Sequence, residues 1–298
     1  MRRVTLTLLI ASCLISSCAS QWQEPVDVPE PVVTPDATAA PEAVAAPDPI
    51  ITVGDPTNFL ADAPTVFITG ANRGIGLEFV GQFSTLGWNI IATARKPESA
   101  TELMAIADRY NQLVIERLDV TDFARIDELS TKYAEQPIDV LLSNAGITPK
   151  YKSAFKNVSG VDWDMAMKSL EVNAVAPLKL AQSFMTQVAA SEQKKIVIIS
   201  SKAGSFELSP KMAMMYSYRT SKAALNMYMY TLSFETPKKG ITLALLSPGQ
   251  VNTVPGMKIP NAIETDESVS KMLKVIDGLT PEQNGKFLDF EDGAELPW

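Results

Sequence analysis

Apolar residues in this chain form short, nearly continuous runs that alternate with stretches of helical periodicity. Strands buried on both faces carry continuous apolar residues, so the runs predict a parallel sheet. The six runs are Thr65–Thr69, Asn89–Ala94, Leu113–Val120, Ile138–Ser143, Lys195–Ser200 and Ile241–Ser247. The stretches of helical periodicity between them include 77–86, 125–134, 163–190 and 221–235. We therefore predict an α/β fold over residues 64–298, with a single doubly wound parallel sheet (Rossmann-type) and helices on both faces.

The first 63 residues lack this pattern. Residues 1–20 have a basic start, an apolar stretch from Val4 to Ile15 and then small residues, which is typical of a signal peptide. The stretch is shorter than the roughly 20 apolar residues of a membrane span. Its end, Ile15-Ser16-Ser17-Cys18, resembles a bacterial lipobox and predicts lipid attachment at Cys18. Cys13 ends a similar pattern with a shorter apolar core, and an ordinary cleaved signal is the alternative.

Residues 21–63 contain eight prolines, eight acidic residues and no lysine or arginine. Such a segment buries too little apolar surface to offset its ordering entropy, so it is predicted to be a disordered tether. Together, signal and tether predict a membrane-anchored lipoprotein of the bacterial cell envelope, facing the periplasm or the exterior. If the signal is not used, we expect the protein in the cytoplasm.

Composition narrows the chemistry that the chain can perform. It has no histidine, and its two cysteines are Cys13 and Cys18. Serine–histidine and cysteine–histidine nucleophiles are therefore excluded, and we expect no metal site. Residues 64–298 carry 24 basic and 26 acidic residues, a net charge of −2. This balance does not indicate a nucleic-acid partner.

The segment Thr69–Gly76 reads TGANRGIG and follows the first predicted strand. In a doubly wound sheet, this turn faces the crevice where dinucleotides bind, with the pyrophosphate at the helix N-terminus. The glycines at 70, 74 and 76 are not spaced as in the general G-x-G-x-x-G fingerprint. Taken alone, the motif leaves a tight structural turn as the alternative.

Four further motifs follow in order: Asn144-Ala145-Gly146, Asn173, Ser201 and Tyr218-x-x-x-Lys222. With the glycine turn they resemble the short-chain dehydrogenase/reductase family over about residues 64–298. The chain looks most like the C-factor and sniffer-type carbonyl reductases. The resemblance implies hydride transfer from NADPH to an aldehyde or ketone, or the reverse oxidation of an alcohol. We also expect a homo-oligomer, either a dimer or a tetramer.

Tyr218 and Lys222 lie four residues apart, so on a helix they share one face. One positive charge at about 4 Å supplies about 4 kcal/mol, so Lys222 and an oxidised nicotinamide are expected to lower the pKa of Tyr218 from about 10 to about 7. Tyr218 is then the proton donor and acceptor. The resemblance implies that Ser201 binds the substrate oxygen and that Asn173 holds the water chain that reprotonates Lys222. Taken singly, an amphipathic helix face and a helix cap are the alternatives.

The strand end Thr93-Ala94-Arg95 lacks the acidic residue with which NAD enzymes bind the ribose 2′-hydroxyl. Together with Arg73, Arg95 favours NADP(H), because guanidinium suits phosphate geometry; two solvated arginines are the alternative. The predicted cofactor-binding residues are Thr69, Gly70, Asn72, Arg73, Gly74, Ile75, Gly76, Arg95, Asp119, Val120, Asn144, Ala145, Gly146, Tyr218, Lys222, Pro248, Gly249, Val251 and Thr253.

The chain departs from the family pattern at Ser143, at Val254–Met257 and in the longer spacing from Ser201 to Tyr218. The last two regions border the substrate pocket. Apolar residues in the longer loop favour an apolar carbonyl substrate, although a core role is the alternative: they are Phe206, Leu208, Met212, Met214 and Met215. The other functions considered are a cofactor-binding sensor without turnover and an envelope interaction module that uses the tether.

Overall fold

A central sheet of eight strands organises the protein. A computed structural model describes residues 52–148, 155–253 and 258–298. The predicted signal peptide, Cys18, residues 21–51 of the predicted tether and Val254–Met257 lie outside the described residues. The strands are β1 (Thr52–Val53), β2 (Thr65–Ile68), β3 (Asn89–Ala94), β4 (Leu113–Arg117), β5 (Val140–Ser143), β6 (Lys195–Ile199), β7 (Thr242–Ser247) and β8 (Lys286–Asp289). Their order in the sheet is β1-β4-β3-β2-β5-β6-β7-β8. The prediction of an α/β fold with a parallel sheet is confirmed for a mostly parallel sheet, and of the strands in the described residues only β1 pairs antiparallel.

Helices cover both faces of this sheet. They are α1 (Gly74–Thr85), α2 (Thr101–Ala107), α3 (Phe123–Lys132), α4 (Trp163–Leu170), α5 (Ala176–Ala190), α6 (Tyr216–Leu232) and α7 (Thr265–Asp277). Because side chains alternate along a strand, Val66 and Ile68 pack with α1, α2 and α7, whereas Phe67 packs with α3, α5 and α6. None of the described helices combines the length and apolar character of a membrane span.

The folded region begins earlier than the sequence predicts. The tether was placed over residues 21–63, yet Thr52 and Val53 form β1 against Glu116 and Ile115 of β4. The side-chain amide of Asn89 donates to the carbonyls of Leu60, at 2.9 Å, and Ala63, at 3.0 Å. Proline and acidic residues here did not prevent order, because partners from β3 and β4 satisfy the backbone.

Other differences concern element ends and edges. The stretch 163–190 is helical as predicted, and a π-helical turn at Glu171–Val175 lies between α4 and α5. The predicted third strand ends at Arg117 rather than Val120, since the side chain of Asp119 accepts hydrogen bonds from Thr121 and forms a turn. Strand β8 and helices α2 and α7 were not predicted. Strand β8 has only two apolar residues, Phe287 and Leu288, which is too short a run to predict a strand. Helix α7 buries Val269, Met272 and Ile276 at helical spacing, so the sequence did carry a signal for it.

Candidate active site

The glycine turn lies where the winding direction of the sheet reverses, between β2 and β5. Thr69 Oγ1 accepts hydrogen bonds from the backbone N–H groups of Asn144, at 3.0 Å, and Ala145, at 3.1 Å. The Asn144 side-chain amide donates to the carbonyls of Thr69, at 3.0 Å, and Gly70, at 3.2 Å. The side chains of Thr69 and Asn144 therefore fasten the turn to the end of β5. Dinucleotides bind at such a switch point in doubly wound folds.

The backbone of the turn requires its glycines. Gly70 and Gly74 have φ angles of +68° and +55°, which disfavour other residues. A Cβ on Gly76 would collide with the carbonyl oxygen of Gly70. Arg73 precedes α1 without capping it through its side chain, so the first N–H groups of the helix are not satisfied by that residue. A bare backbone at a helix N-terminus fits the pyrophosphate of a dinucleotide.

Two cations lie beside this turn and the end of β3. Arg73 and Arg95 are exposed, and within the described ranges neither forms an ion pair. Burial raises the pKa of Asp119, but hydrogen bonds from Thr121 and the charges of Lys168 and Arg95 outweigh it, so the net shift is downward. Arg95 and Asp119 therefore interact electrostatically at adjacent strand ends. Of the other predicted residues here, Asn72 is exposed, and Ile75 and Val120 are half-buried.

Ser201, Tyr218 and Lys222 come together at the end of β6. The Ser201 hydroxyl lies beside the Tyr218 phenol and lowers its pKa. Lys222 Nζ lies 6.0 Å from the centre of the Tyr218 ring and donates to the carbonyl of Ile199 at 2.8 Å. The neighbouring Ser200 is buried and donates its hydroxyl to Asn226 Oδ1 at 2.6 Å. Of the two serines, Ser201 is thus the one directed at the phenol.

Burial controls the protonation of this cluster. It raises the pKa of Tyr218, and the hydrogen bond with Ser201 opposes the shift only in part. Burial also lowers the pKa of Lys222 to about 8. The expected fall in the pKa of Tyr218 is therefore not produced by the protein's own residues, because desolvation of the phenol outweighs them. A phenol that stays protonated is suited to donate a proton.

Asn173 lies in the π-helical turn, a feature frequent at functional sites. Its side-chain Oδ1 accepts from the N–H of Ile147 at 2.8 Å. Its Nδ2 donates to the Ile147 carbonyl and to Ser221 Oγ, both at 2.9 Å. Both amide hydrogens are thus used within the protein. The Asn173 side chain holds the segment after β5 against α6, beside Lys222, rather than offering these donors to a water chain.

Gly204 allows the turn after Ser201 to approach α6. A Cβ at Gly204 would lie 2.7 Å from the carbonyl carbon of Lys222, too close for any side chain. The contact of Gly204 with α6 joins segments that are remote in sequence, so it appears only in the folded chain. Gly146 has a similar neighbour, since a Cβ there would lie 3.3 Å from Asn173 Oδ1.

The segment after β7 closes the crevice from the opposite side. Ser268 Oγ of α7 donates to the Pro248 carbonyl at 2.7 Å, and Gly249 adopts a φ of +80°. Thr253 borders the glycine turn, because a Cβ on Gly74 would lie 3.3 Å from its Cβ. Val251, also predicted here, is buried. Ser268 had no signal in the sequence, since only the tertiary contact reveals its role.

Comparison with known proteins explains this arrangement. Residues 64–263 match the family model described as short chain dehydrogenase. The chain belongs to the short-chain dehydrogenase family. An uncharacterised oxidoreductase from Schizosaccharomyces pombe is 34% identical over 78% of this chain and 97% of its own length. C-signal of Myxococcus xanthus is 33% identical over 57% of this chain and 98% of its own length.

Solved structures of this short-chain dehydrogenase fold are also similar. The NADPH-bound carbonyl reductase from chicken fatty liver has 33% identity and a TM-score of 0.72, covering 79% of this chain and 99% of that one. Carbonyl reductase Sniffer of Drosophila melanogaster has 29% identity and a TM-score of 0.71, covering 79% of this chain and 100% of that one. The predicted family and its likeness to C-factor and sniffer-type proteins are confirmed.

The loop between Ser201 and Tyr218 borders a cavity of about 410 Å³ on the outer side of α6. The cavity is lined by Phe206, Met212, Met214 and Tyr216 among others, but not by Ser201 or Tyr218. Phe206 is 89% exposed, so a core role for this side chain is wrong. In this short-chain dehydrogenase, the loop thus lines the cavity with apolar side chains.

Proposed function

We propose that the protein is an NADP-dependent reductase of aldehydes or ketones, which also performs the reverse oxidation of an alcohol. The observation that carries this proposal is the convergence of Ser201, Tyr218 and Lys222 at the end of β6, beside a glycine turn that fits a dinucleotide. NADPH supplies the hydride in this chemistry. The substrate is a small carbonyl or alcohol compound.

Each side chain has a defined task in the proposed reaction. The Tyr218 hydroxyl donates a proton to the carbonyl oxygen, and its raised pKa keeps that proton in place before reaction. The Ser201 hydroxyl donates a hydrogen bond to the same oxygen, which stabilises negative charge as it develops. Lys222, charged below a pKa of about 8, favours the tyrosinate that remains. In the oxidation direction, Tyr218 accepts the proton from the alcohol.

Preference for NADPH over NADH is part of the proposal. Arg73 and Arg95 are exposed beside the turn, and the end of β3 has no acidic residue for a ribose 2′-hydroxyl. Guanidinium groups bind phosphate in a bidentate manner, so they favour the 2′-phosphate. The chicken relative binds NADPH, which supports the same choice. Equal kcat/KM for both cofactors would contradict it.

Tyr218→Phe tests the assignment of the proton donor. We expect loss of carbonyl reduction while NADPH affinity stays within a few-fold, because the change removes a hydroxyl and little volume. The assay follows NADPH oxidation with a panel of aldehydes, ketones and quinones. Tyr216→Phe is the matched control, since this tyrosine is two residues away and exposed. Wild-type turnover in Tyr218→Phe, or a wild-type protein that binds NADPH but reduces nothing, contradicts the proposal.

We further propose that the enzyme is a lipoprotein anchored through Cys18, with residues between Cys18 and β1 as its tether. More than one acyl chain gives firm membrane attachment, where a single chain is marginal.

We also propose assembly into a dimer or tetramer. Support for assembly comes from Met227 and Phe234, apolar side chains on or beside α6 that are 64% and 65% exposed. Sedimentation measurements test the assembly.

A further inference from the structure

The end of β8 lies between two loops of the active site. Asp289, its last residue, has a side chain only 11% exposed, and its Oδ2 lies 2.5 Å from Lys202 Nζ. Lys202 directly follows Ser201. Phe290 donates its N–H to the carbonyl of Ser247 at 3.0 Å. The ring of Phe290 also packs so closely on Gly249 that a Cβ there would lie 2.7 Å from Cε1.

The carboxylate of Asp289 is held in place by its own surroundings. Its Oδ1 accepts from the N–H of Glu291 at 3.0 Å. Its backbone N–H donates to the Ala294 carbonyl at 2.8 Å, and its own carbonyl accepts from the N–H of Gly293 at 3.1 Å. The Asp289 carboxylate is thus a fixed acceptor, whereas Lys202 is 47% exposed and has a long, flexible side chain. The ion pair therefore restrains the turn after Ser201, because it connects Lys202 to a fixed residue of the sheet.

The turn that follows Ser201 is short and is held by contacts on its two sides. Ser201 precedes a short 3₁₀ turn, Lys202–Gly204, and its Oγ accepts from the N–H of Ala203 at 3.1 Å. The far side of the turn contacts α6 through Gly204. The near side is fastened by Lys202. Serine and tyrosine hydroxyls must meet one substrate oxygen, and small errors in such placement reduce rates strongly.

We propose that Asp289 is a positioning residue that acts through Lys202 to hold Ser201 toward the substrate oxygen. This inference rests on the proposed reductase function. It gives β8 a role in the site, because Asp289 contacts Lys202 although the two residues are far apart in the sequence. We expect the ion pair to affect kcat more than cofactor binding, because the glycine turn that fits the dinucleotide pyrophosphate follows β2, whereas Lys202 follows β6.

The test compares Asp289→Asn and Lys202→Met with the wild-type full chain. The assay uses NADPH and the carbonyl compound that the wild-type protein reduces fastest in the panel. We expect each variant to lower kcat about twofold to fivefold, with NADPH affinity within twofold, whereas Lys202→Arg retains kcat because it keeps the pair. The matched control is Lys286→Met, which breaks a 2.8 Å pair with Glu295 from the same strand. It should leave kcat unchanged.

Combination with Ser201→Ala separates positioning from a general structural role. If the pair acts through Ser201, Asp289→Asn should lower the residual rate of Ser201→Ala no further. An equal fractional loss in both backgrounds, or an unchanged kcat in both pair variants, overturns the inference alone. A wild-type protein that reduces no carbonyl compound overturns the proposed function and this inference with it. If Asp289→Asn misfolds and loses NADPH binding, the kcat of Lys202→Met decides whether the inference holds. That variant breaks the same pair by changing the exposed lysine and leaves the buried Asp289 in place.

Discussion

Burial of Lys222 beside Tyr218 should be measurable as a dependence of stability on pH. Lys222 is 5% exposed, and desolvation lowers its pKa from 10.5 to about 8. In the folded protein the lysine therefore releases its proton near pH 8, whereas the unfolded chain keeps that proton up to about pH 10.5. The unfolded state binds more protons in this window, so stability rises as pH increases through it.

The magnitude follows from the size of the pKa shift. Each pH unit by which the pKa is lowered corresponds to about 1.4 kcal/mol. At pH 7, charging the buried Lys222 thus lowers the free energy of unfolding by about 3 kcal/mol, and most of this is recovered by pH 10. Lys222→Met removes the titrating group, so the variant lacks this contribution. Relative to Lys222→Met, the wild-type protein should gain about 2 to 3 kcal/mol between pH 7 and pH 10.

Urea unfolding at several pH values, without added cofactor, measures this difference. Comparing wild type with Lys222→Met cancels the titrating groups that are remote from Lys222, and repeating the comparison in a Tyr218→Phe background removes the neighbouring phenol. Lys211→Met, which removes a lysine from the exposed surface, controls for the loss of one positive charge. A difference between wild type and Lys222→Met that stays constant from pH 7 to pH 10 would refute the claim that this lysine is buried as a cation. The variant should also lose carbonyl reduction, so stability and activity respond in opposite directions at pH 7.

Three further predictions concern the turn, the cofactor and the location. Gly204→Ala should cost about 1 to 3 kcal/mol of stability by overpacking against α6 and should lower kcat. Gly81→Ala is the control, because its Cβ meets open space, and it should change neither quantity. Calorimetry measures the stability, and the NADPH assay measures kcat. Arg95→Asp should reduce the preference for NADPH by about 1.5 to 3 kcal/mol in relative kcat/KM. Fractionation with mass spectrometry should find a lipid-bearing Cys18 in the membrane fraction, and an intact Met1 in the soluble fraction contradicts the anchor.

Local patterns in the sequence were sufficient for the central strands and for most candidate residues. Continuous apolar runs identified the six inner strands because those strands are buried on both faces. The glycine turn and the Tyr218–Lys222 spacing were readable because each depends on neighbours within one turn or one helix. The edge strands β1 and β8 lack such a run, since β1 has two residues and β8 four, and their place in the sheet depends on pairing with β4 and β7.

The sequence by itself determined which chemical groups are present and their order along the chain. Only the tertiary structure decided their environment. It showed that Asn173 fastens Ile147 and Ser221, that burial raises the pKa of Tyr218, and that Asp289 reaches Lys202. Desolvation and contacts between remote segments depend on atoms from many parts of the chain, so no local pattern encodes them. This is why the site residues could be named from the motifs, while their pKa shifts and supporting contacts could not.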